Sequence, residues 1–429
     1  MSKKTAHNYN YIVDRLFYFC HPKQNSMKSF SLVQWLVIFI LALLTALEPL
    51  SIDLYLPGFP LIEKAFSTST AAVQISLSTF LAGFAIGQLL WGPLADKYGR
   101  KKPILVSLAI FTLASLACIY VKSIEQLWVV RFLQAIGGCA GVVISRAIVT
   151  DYFDKSSTLK IFALLSLIMG VAPIIGPTVG NGVLMFSGWE GLFGTMAVMG
   201  LILLFLTLFF LPETHKKETK QEMNVVKGYM EVLKNRKFVV YSLIAGIANG
   251  ALMIYVANGT FLIMDSAGFS NKAFGIIFAI NAFGLMIASY VTSVLQKYIA
   301  TNKLVKQALL FMTIASVVLL TAMYFNVNMN IILVILFFYI FPIGILFPTT
   351  TELAMSPFAS GNNSGMASAM FGSIQLATAF VCTILSSFVS DGSVTAVGIA
   401  FFFCNIAAFV IVFSRISLKE NATVVQGNK

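Results

Sequence analysis

Charge is what this sequence is short of. Only 11% of its 429 residues are Asp, Glu, Lys or Arg, while 58% are hydrophobic. That is too little polar surface to clothe a soluble globule of this length, so lipid is the expected solvent. Cysteine is sparse and scattered. The five thiols, Cys20, Cys118, Cys139, Cys382 and Cys404, form no CxxC and no Cys/His pair, which argues against a disulfide framework or a zinc site and for reduced packing residues. The three histidines, His7, His21 and His215, all lie in polar segments, so a buried metal centre or a Ser/His catalytic site within the apolar runs is excluded. No G-x-x-x-x-G-K-[ST] occurs, which removes a nucleotide-driven pump. Neither enzymatic chemistry nor a bound cofactor is implied, and the energy source expected is an ion gradient, that of the proton.

Long apolar runs are abundant. A spanning helix needs about 20 mostly apolar residues, and such stretches recur at roughly 32–56, 71–94, 103–121, 127–149, 159–186, 189–211, 238–264, 273–294, 305–324, 329–354, 364–388 and 393–414. They are continuous runs and not ten-residue alternations, so helices are expected and a barrel is not. The expected fold is therefore all-α: a membrane protein of twelve transmembrane helices in two pseudo-symmetric six-helix bundles. The division expected is a segment 1–30, a first bundle 31–211, a linker 212–237, a second bundle 238–415 and a tail 416–429.

The net charge of +12 is spread over alternate connections, so it makes no single patch for nucleic acid. With the N-terminus inside, all but four of the 29 Lys and Arg fall in cytoplasmic segments, the four being Lys64, Lys122, Lys272 and Arg131. The positive-inside rule then places both termini in the cytoplasm. The first thirty residues hold no apolar core long enough for a cleavable signal. Because Met27-Lys28 directly precedes the first long run, Met27 is an alternative start. In the linker, Val225, Val226, Tyr229, Met230 and Leu233 recur at helical spacing, which predicts an amphipathic helix on the membrane surface, or else a simple solvated tether.

Three segments carry motifs. Gly92-Pro93-Leu94-Ala95-Asp96-Lys97-Tyr98-Gly99-Arg100-Lys101-Lys102 pairs a glycine suited to close helix approach with a second suited to a tight turn, and sets Asp96 between them to meet a cation or a helix N-terminus of the other half. Arg131-Phe132-Leu133-Gln134-Ala135 puts a guanidinium inside a span, where it must face a polar cavity or an acid. Gly170-Val171-Ala172-Pro173-Ile174-Ile175-Gly176-Pro177-Thr178-Val179-Gly180 reads as a kinked helix with a close neighbour. The first segment matches the signature G-x-L-A-D-[RK]-x-G-R-[KR] of the major facilitator superfamily, and the chain from Ser31 to Arg415 resembles that family. The second resembles its R-x-x-Q-G signature, with Ala135 in place of the glycine. The third resembles G-x-x-x-G-P-x-x-G, found in its drug and proton antiporters. The resemblance implies gating roles for Gly92, Asp96, Gly99 and Arg100, as a latch between bundles, and for Gly170, Pro173, Gly176 and Pro177.

Glu48 and Asp53 are the two acids inside the first run. Burial disfavours a charged carboxylate and a nearby cation favours it, so an acid beside a cavity of alternating access can carry a proton. Either residue can serve. Asp53 and Arg131 come out at compatible depths, so their pairing is expected, whereas Arg146, about 22 Å along the same helix, reaches the cytoplasmic surface. Ser51-Ile52-Asp53-Leu54-Tyr55-Leu56-Pro57, Arg146-Ala147-Ile148-Val149 and Leu211-Pro212-Glu213-Thr214 resemble the Bcr/CflA drug-resistance subfamily, a group of proton-coupled exporters. That resemblance implies a monomeric drug:proton antiporter of a bacterial inner membrane, taking small amphipathic compounds; a carrier of a physiological solute or a siderophore is the alternative. Candidates for lining its cavity are Gln134, Asn249, Tyr255, Asn258, Asn281 and Gln375, with Gln74, Gln88 and Tyr339 as further polar residues inside spans.

Overall fold

The computed structural model describes residues 31–214, 225–358, 364–390 and 392–413. The alternative start at Met27, the three histidines and Cys20 lie outside the described residues, as do the N-terminal segment before Ser31 and the C-terminal tail.

The described residues are helical. Eleven helical stretches are long and apolar enough to cross a membrane. One of them counts double: the helix Lys155–Phe210 runs for 56 residues but breaks at Gly188, where φ is 65° and ψ is −168°. An unbroken helix of that length would be about 84 Å long, far beyond a hydrocarbon core of about 30 Å. Glycine alone adopts such a backbone freely, so Gly188 turns one run into two spans and the total is twelve.

In chain order the helices are α1 (Leu32–Asp53), α2 (Phe59–Ala65), α3 (Thr70–Tyr98), α4 (Lys101–Ile119), α5 (Ile124–Tyr152), α6 (Lys155–Phe210), α7 (Val225–Lys234), α8 (Arg236–Thr260), α9 (Asn271–Leu295), α10 (Thr301–Tyr324), α11 (Met329–Ile340), α12 (Ile343–Met355), α13 (Ser364–Val389) and α14 (Val394–Phe413). Helices α11 and α12 form one span around Pro342. Capping side chains set several starts. Ser69, Ser123 and Ser270 accept from the backbone N–H three residues on, at 3.3, 3.4 and 3.3 Å, to open α3, α5 and α9. Ser31 and Gln34 cap α1 reciprocally, Ser31 N donating to Gln34 Oε1 at 2.9 Å and Gln34 N to Ser31 Oγ at 3.2 Å.

Large apolar side chains such as Leu113, Phe186, Phe209, Phe283, Tyr290, Phe338, Leu385 and Phe403 are exposed on the outside of the helices. In water this would be a liability; in a bilayer it is the lipid-facing surface. Small residues let the helices meet. A Cβ on Gly83 would fall 2.9 Å from the Ala135 Cβ, and one on Gly87 2.8 Å from the Cys139 Cβ, so α3 and α5 approach backbone to backbone.

The amphipathic segment of the linker is helical, as α7, but its apolar residues divide between two faces. Val232 is fully buried in a cluster with Phe238, Ala245, Ala354, Ala367 and Phe371, and Gly228 lies against Met366. Val226 and Met230 are instead 71% and 55% exposed. The predicted stripe is thus joined by a second apolar face, which a cluster with the later helices takes.

Candidate functional site: a buried acid between α1, α6 and α8

The short basic connection comes first, because it fixes α3 against its neighbours. Gly92 and Pro93 lie within α3 and not at its end, and a Cβ on Gly92 would meet nothing within 4 Å. The chain reverses at Gly99, where φ is 90°. The space beside Gly99 is filled by Glu213, whose Oε2 would lie 2.6 Å from a Cβ there. Glu213 accepts from Arg100 N at 2.8 Å and from Lys101 N at 3.1 Å, so it caps the start of α4, where free N–H groups and the helix dipole favour an anion. Arg100 donates to Asp96 at 2.6 Å and to Asp151 at 2.9 Å. Burial works against the charged guanidinium, but these two carboxylates outweigh it and hold its pKa above the ordinary arginine value. Asp96 is thus bound to the helix that follows it. Among the described residues no ion pair joins it to a later helix. Instead the Tyr229 hydroxyl of α7 lies near Asp96 and donates to the Leu89 carbonyl at 3.3 Å.

At the other end of α1, Pro57 and Pro60 end regular helix. Tyr55 N bonds Ile52 O at 3.2 Å, three residues back, and the Ser51 carbonyl is left without its helical partner. Arg131 takes that carbonyl at 3.2 Å. This cation, fully buried on α5, forms no ion pair with a carboxylate among the described residues. Its Nη1 donates to Gln134 Oε1 at 2.6 Å, and Gln134 in turn donates to Ser115 at 2.7 Å. The guanidinium carbon lies 4.3 Å from the Phe80 ring centroid, 4.6 Å from Tyr55 and 5.8 Å from Phe193. A desolvated cation over aromatic faces gains about 2 kcal/mol per good contact. Arg131 therefore caps the C-terminus of α1 inside an aromatic cage, and the expected ion pair with Asp53 is not formed in this structure. Gln134 serves the guanidinium and is itself fully buried.

Asp53 is buried, at 4% exposure, and no described residue donates to its carboxylate. What touches it is the glycine-proline span. A Cβ on Gly176 would fall 2.6 Å from the Asp53 Cβ, and one on Gly180 would strike the Leu54 carbonyl. Two glycines one turn apart thus press the first leg of α6 onto the α1 backbone, with Pro173 and Pro177 inside the same helix and Gly170 a turn before them. On its other side Asp53 lies within electrostatic reach of the Tyr255 hydroxyl of α8. Glu48 is half-buried on α1, with Arg146 within electrostatic reach. Among the described residues the two acids of this helix therefore differ: Glu48 has a cation within electrostatic reach and Asp53 has none.

Around Tyr255 the polar residues form a seam between early and late helices. Asn281 Nδ2 donates to Tyr255 Oη at 3.0 Å, and Gln74 Nε2 donates to Asn258 Oδ1 at 3.0 Å. Ser78 and Thr383 share a bond of 2.9 Å, and Thr260 donates to the Leu56 carbonyl at 3.2 Å. Asn249 is buried on α8 and Gln375 half-buried on α13, but neither joins this cluster. Sequence reasoning missed Glu213 and Asp151 as partners of the basic connection, and the aromatic cage of Arg131. The run Leu211-Pro212-Glu213-Thr214, an acid directly after a span, was the one available signal.

Twelve spanning helices with a buried carboxyl, Asp53, beside a polar seam between early and late helices are the build of a membrane carrier. The model of the Major Facilitator Superfamily matches residues 41–381, and the chain belongs to that family. It is a multi-pass membrane transporter of small-molecule substrates and not an enzyme. The chain is 35% identical over 364 residues to the uncharacterized MFS-type transporter YdgK of Bacillus subtilis, covering 84% of this chain and 89% of that protein. It is 31% identical over 337 residues to multidrug resistance protein MdtL of Shewanella sp., covering 78% and 84%. It is also 31% identical over 262 residues to a bicyclomycin resistance protein homolog of Haemophilus influenzae, covering 60% and 66%. Among solved structures a D-xylose-proton symporter matches with a TM-score of 0.74 at 13% identity, covering 90% of this chain and 98% of that one. That last likeness is one of fold.

Proposed function

We propose that this protein is a proton-coupled exporter of small amphipathic compounds, working by alternating access in a bacterial inner membrane with both termini cytoplasmic. The observation that carries the proposal is Asp53, a buried carboxyl without a counter-ion among the described residues, clamped by Gly176 of the glycine-proline span and within electrostatic reach of Tyr255 of α8. An acid with no fixed cation takes up a proton when its site opens to water on one side and gives it up on the other, and its charge is what the two arrangements of the halves sense. The relatives named for drug resistance support export as the direction. Residues 31–211 and 238–415 are the two bodies that rock about this seam in the proposal, with Asp96 and Arg100 at its cytoplasmic end. One proton moving through about 100 mV supplies about 2.3 kcal/mol, enough to sustain a substrate gradient of about fifty-fold.

The test is a proton-flux screen in proteoliposomes. Lumenal pH is followed with a trapped dye while a panel of amphipathic amines and neutral antibiotics is offered under an imposed pH gradient. Compounds that are carried release protons in the opposite direction, and the flux stops in Asp53→Asn. Proton-driven efflux that continues unchanged in that variant overturns the assignment.

A further inference from the structure

The polar seam around Asp53 is lopsided in its hydrogen-bonding capacity. Two amide oxygens there, Gln74 Oε1 and Asn281 Oδ1, are buried and have no partner among the described residues. Gln74 and Asn281 are only 2% and 5% exposed. Which end of each amide is free is fixed by backbone carbonyls, which only accept. Gln74 Nε2 donates to the Ala257 carbonyl at 3.3 Å as well as to Asn258, and Asn281 Nδ2 donates to the Ile277 carbonyl at 2.9 Å as well as to Tyr255. Flipping either amide would set oxygen against oxygen. Asn258 is fixed likewise, by donating to the Ile254 carbonyl at 2.9 Å. The third acceptor is the Asp53 carboxylate, to which no described residue donates.

The three acceptors belong to one cluster. Gln74 bonds Asn258, which stands one turn after Tyr255 on α8; Asn281 bonds Tyr255; and the chain just after Asp53 is held to the same helix by Thr260, which donates to the Leu56 carbonyl at 3.2 Å, with Asp53 within electrostatic reach of Tyr255. They come from α1, α3 and α9, so a group bound among them touches both early and late helices. What complements one anionic and two neutral acceptors is a positively charged group that carries several N–H bonds.

We propose that the seam is a recognition site for primary ammonium groups, in which Asp53, Gln74 Oε1 and Asn281 Oδ1 accept the three N–H bonds of one R–NH3+ head. This rests on the reading of the protein as a carrier whose cavity opens at Asp53, and it sharpens that reading. The site counts N–H donors and not charge alone. A quaternary ammonium of the same charge leaves all three oxygens without a donor, and a neutral amide offers one donor where three are wanted. A site built on buried hydrogen-bonding groups discriminates strongly against a ligand that leaves them unpaired.

The experiment is equilibrium binding to the purified full-length protein in nanodiscs, with no proton gradient, by calorimetry. The probes are 4-phenylbutylamine, its N,N,N-trimethyl derivative and its N-acetyl derivative. The amine binds about ten-fold or more tighter than either analogue, the equivalent of one charge-assisted hydrogen bond. Gln74→Leu and Asn281→Leu, each checked for a monodisperse elution profile, bring the preference below about three-fold. The proposal is overturned if the wild-type protein prefers the amine by less than three-fold, a result that needs no variant. It is also overturned if both folded variants keep the wild-type preference. Because this binding is measured without a gradient, its outcome is independent of proton coupling: amine preference with no proton flux removes the antiport reading alone, and proton flux with no amine preference removes this one alone.

Discussion

Two glycines of the motif segments make opposite predictions when a methyl group is added. Gly176→Ala places a Cβ 2.6 Å from the Asp53 Cβ and 3.2 Å from the Asp53 carbonyl carbon. Ordinary contact begins at 3.4 Å, so the first leg of α6 must retreat from α1 by roughly 0.8 Å, or α1 must bend where Arg131 already holds the Ser51 carbonyl. Neither side is a flexible side-chain tip, so the strain is of the overpacking kind, about 1–3 kcal/mol. Alanine returns about 0.8–1 kcal/mol through better helix propensity, leaving a net loss of about 0–2 kcal/mol in this arrangement. Gly92→Ala has the propensity gain and no clash, since nothing lies within 4 Å of the added atom. Thermal unfolding of the purified proteins, paired with the proteoliposome flux assay, reads both. Gly176→Ala melts below wild type by at most a few degrees and loses most of its flux, because the displaced contact is the Asp53 backbone itself. Gly92→Ala melts at or above wild type. A Gly176→Ala protein with wild-type stability and flux, or a Gly92→Ala protein that is destabilised, would refute the packing argument.

Two further outcomes test other parts of the structure. Glu213→Ala removes the acceptor for Arg100 N and Lys101 N and should cost about 1 kcal/mol, as loss of an N-terminal helix cap does; Glu213→Gln, which keeps an acceptor oxygen, should recover about half of it in the same melting assay. Ser78 and Thr383 are joined by a hydrogen bond of 2.9 Å, so the double variant S78C/T383C should form a disulfide on mild oxidation. That cross-link ties α3 to α13. Flux should stop and return on reduction, and a variant that cross-links and still transports would show that the two helices do not separate during the cycle.

The fold was largely legible in the sequence, for a physical reason specific to membranes. A bilayer accepts only helices of about 20 apolar residues, so length and hydropathy located the spans. The helices extend beyond those runs at several ends: α3 continues through Pro93 to Tyr98 and α8 starts at Arg236. Polar residues at a helix end cost nothing where the end meets water, so hydropathy alone does not see them. The turn at Gly188 was legible as a short polar interruption, Ser187-Gly188, in an otherwise continuous apolar run.

The candidate site was only half legible. Asp53, Glu48 and Arg131 were conspicuous because charge inside an apolar run is costly, and that holds whatever their partners are. Their partners were not legible, because they depend on rotations of helices about their own axes. Equal depth suggested that Asp53 and Arg131 face one another; packing turns Arg131 toward Ser51, Gln134 and three aromatic rings, and Asp53 toward Gly176 and Tyr255. The apolar stripe of α7 was legible, but its second face, Gly228 and Val232, was not, since the cluster that takes it includes Ala354, Ala367 and Phe371, more than a hundred positions away. By itself, then, the sequence determined that the chain spans a membrane, how often, and which residues carry buried charge, because hydropathy and charge are properties of each residue. Which buried groups meet was decided by the tertiary structure alone, because hydrogen bonds and ion pairs reach about 3 Å and depth along a helix does not specify the direction in which a side chain points.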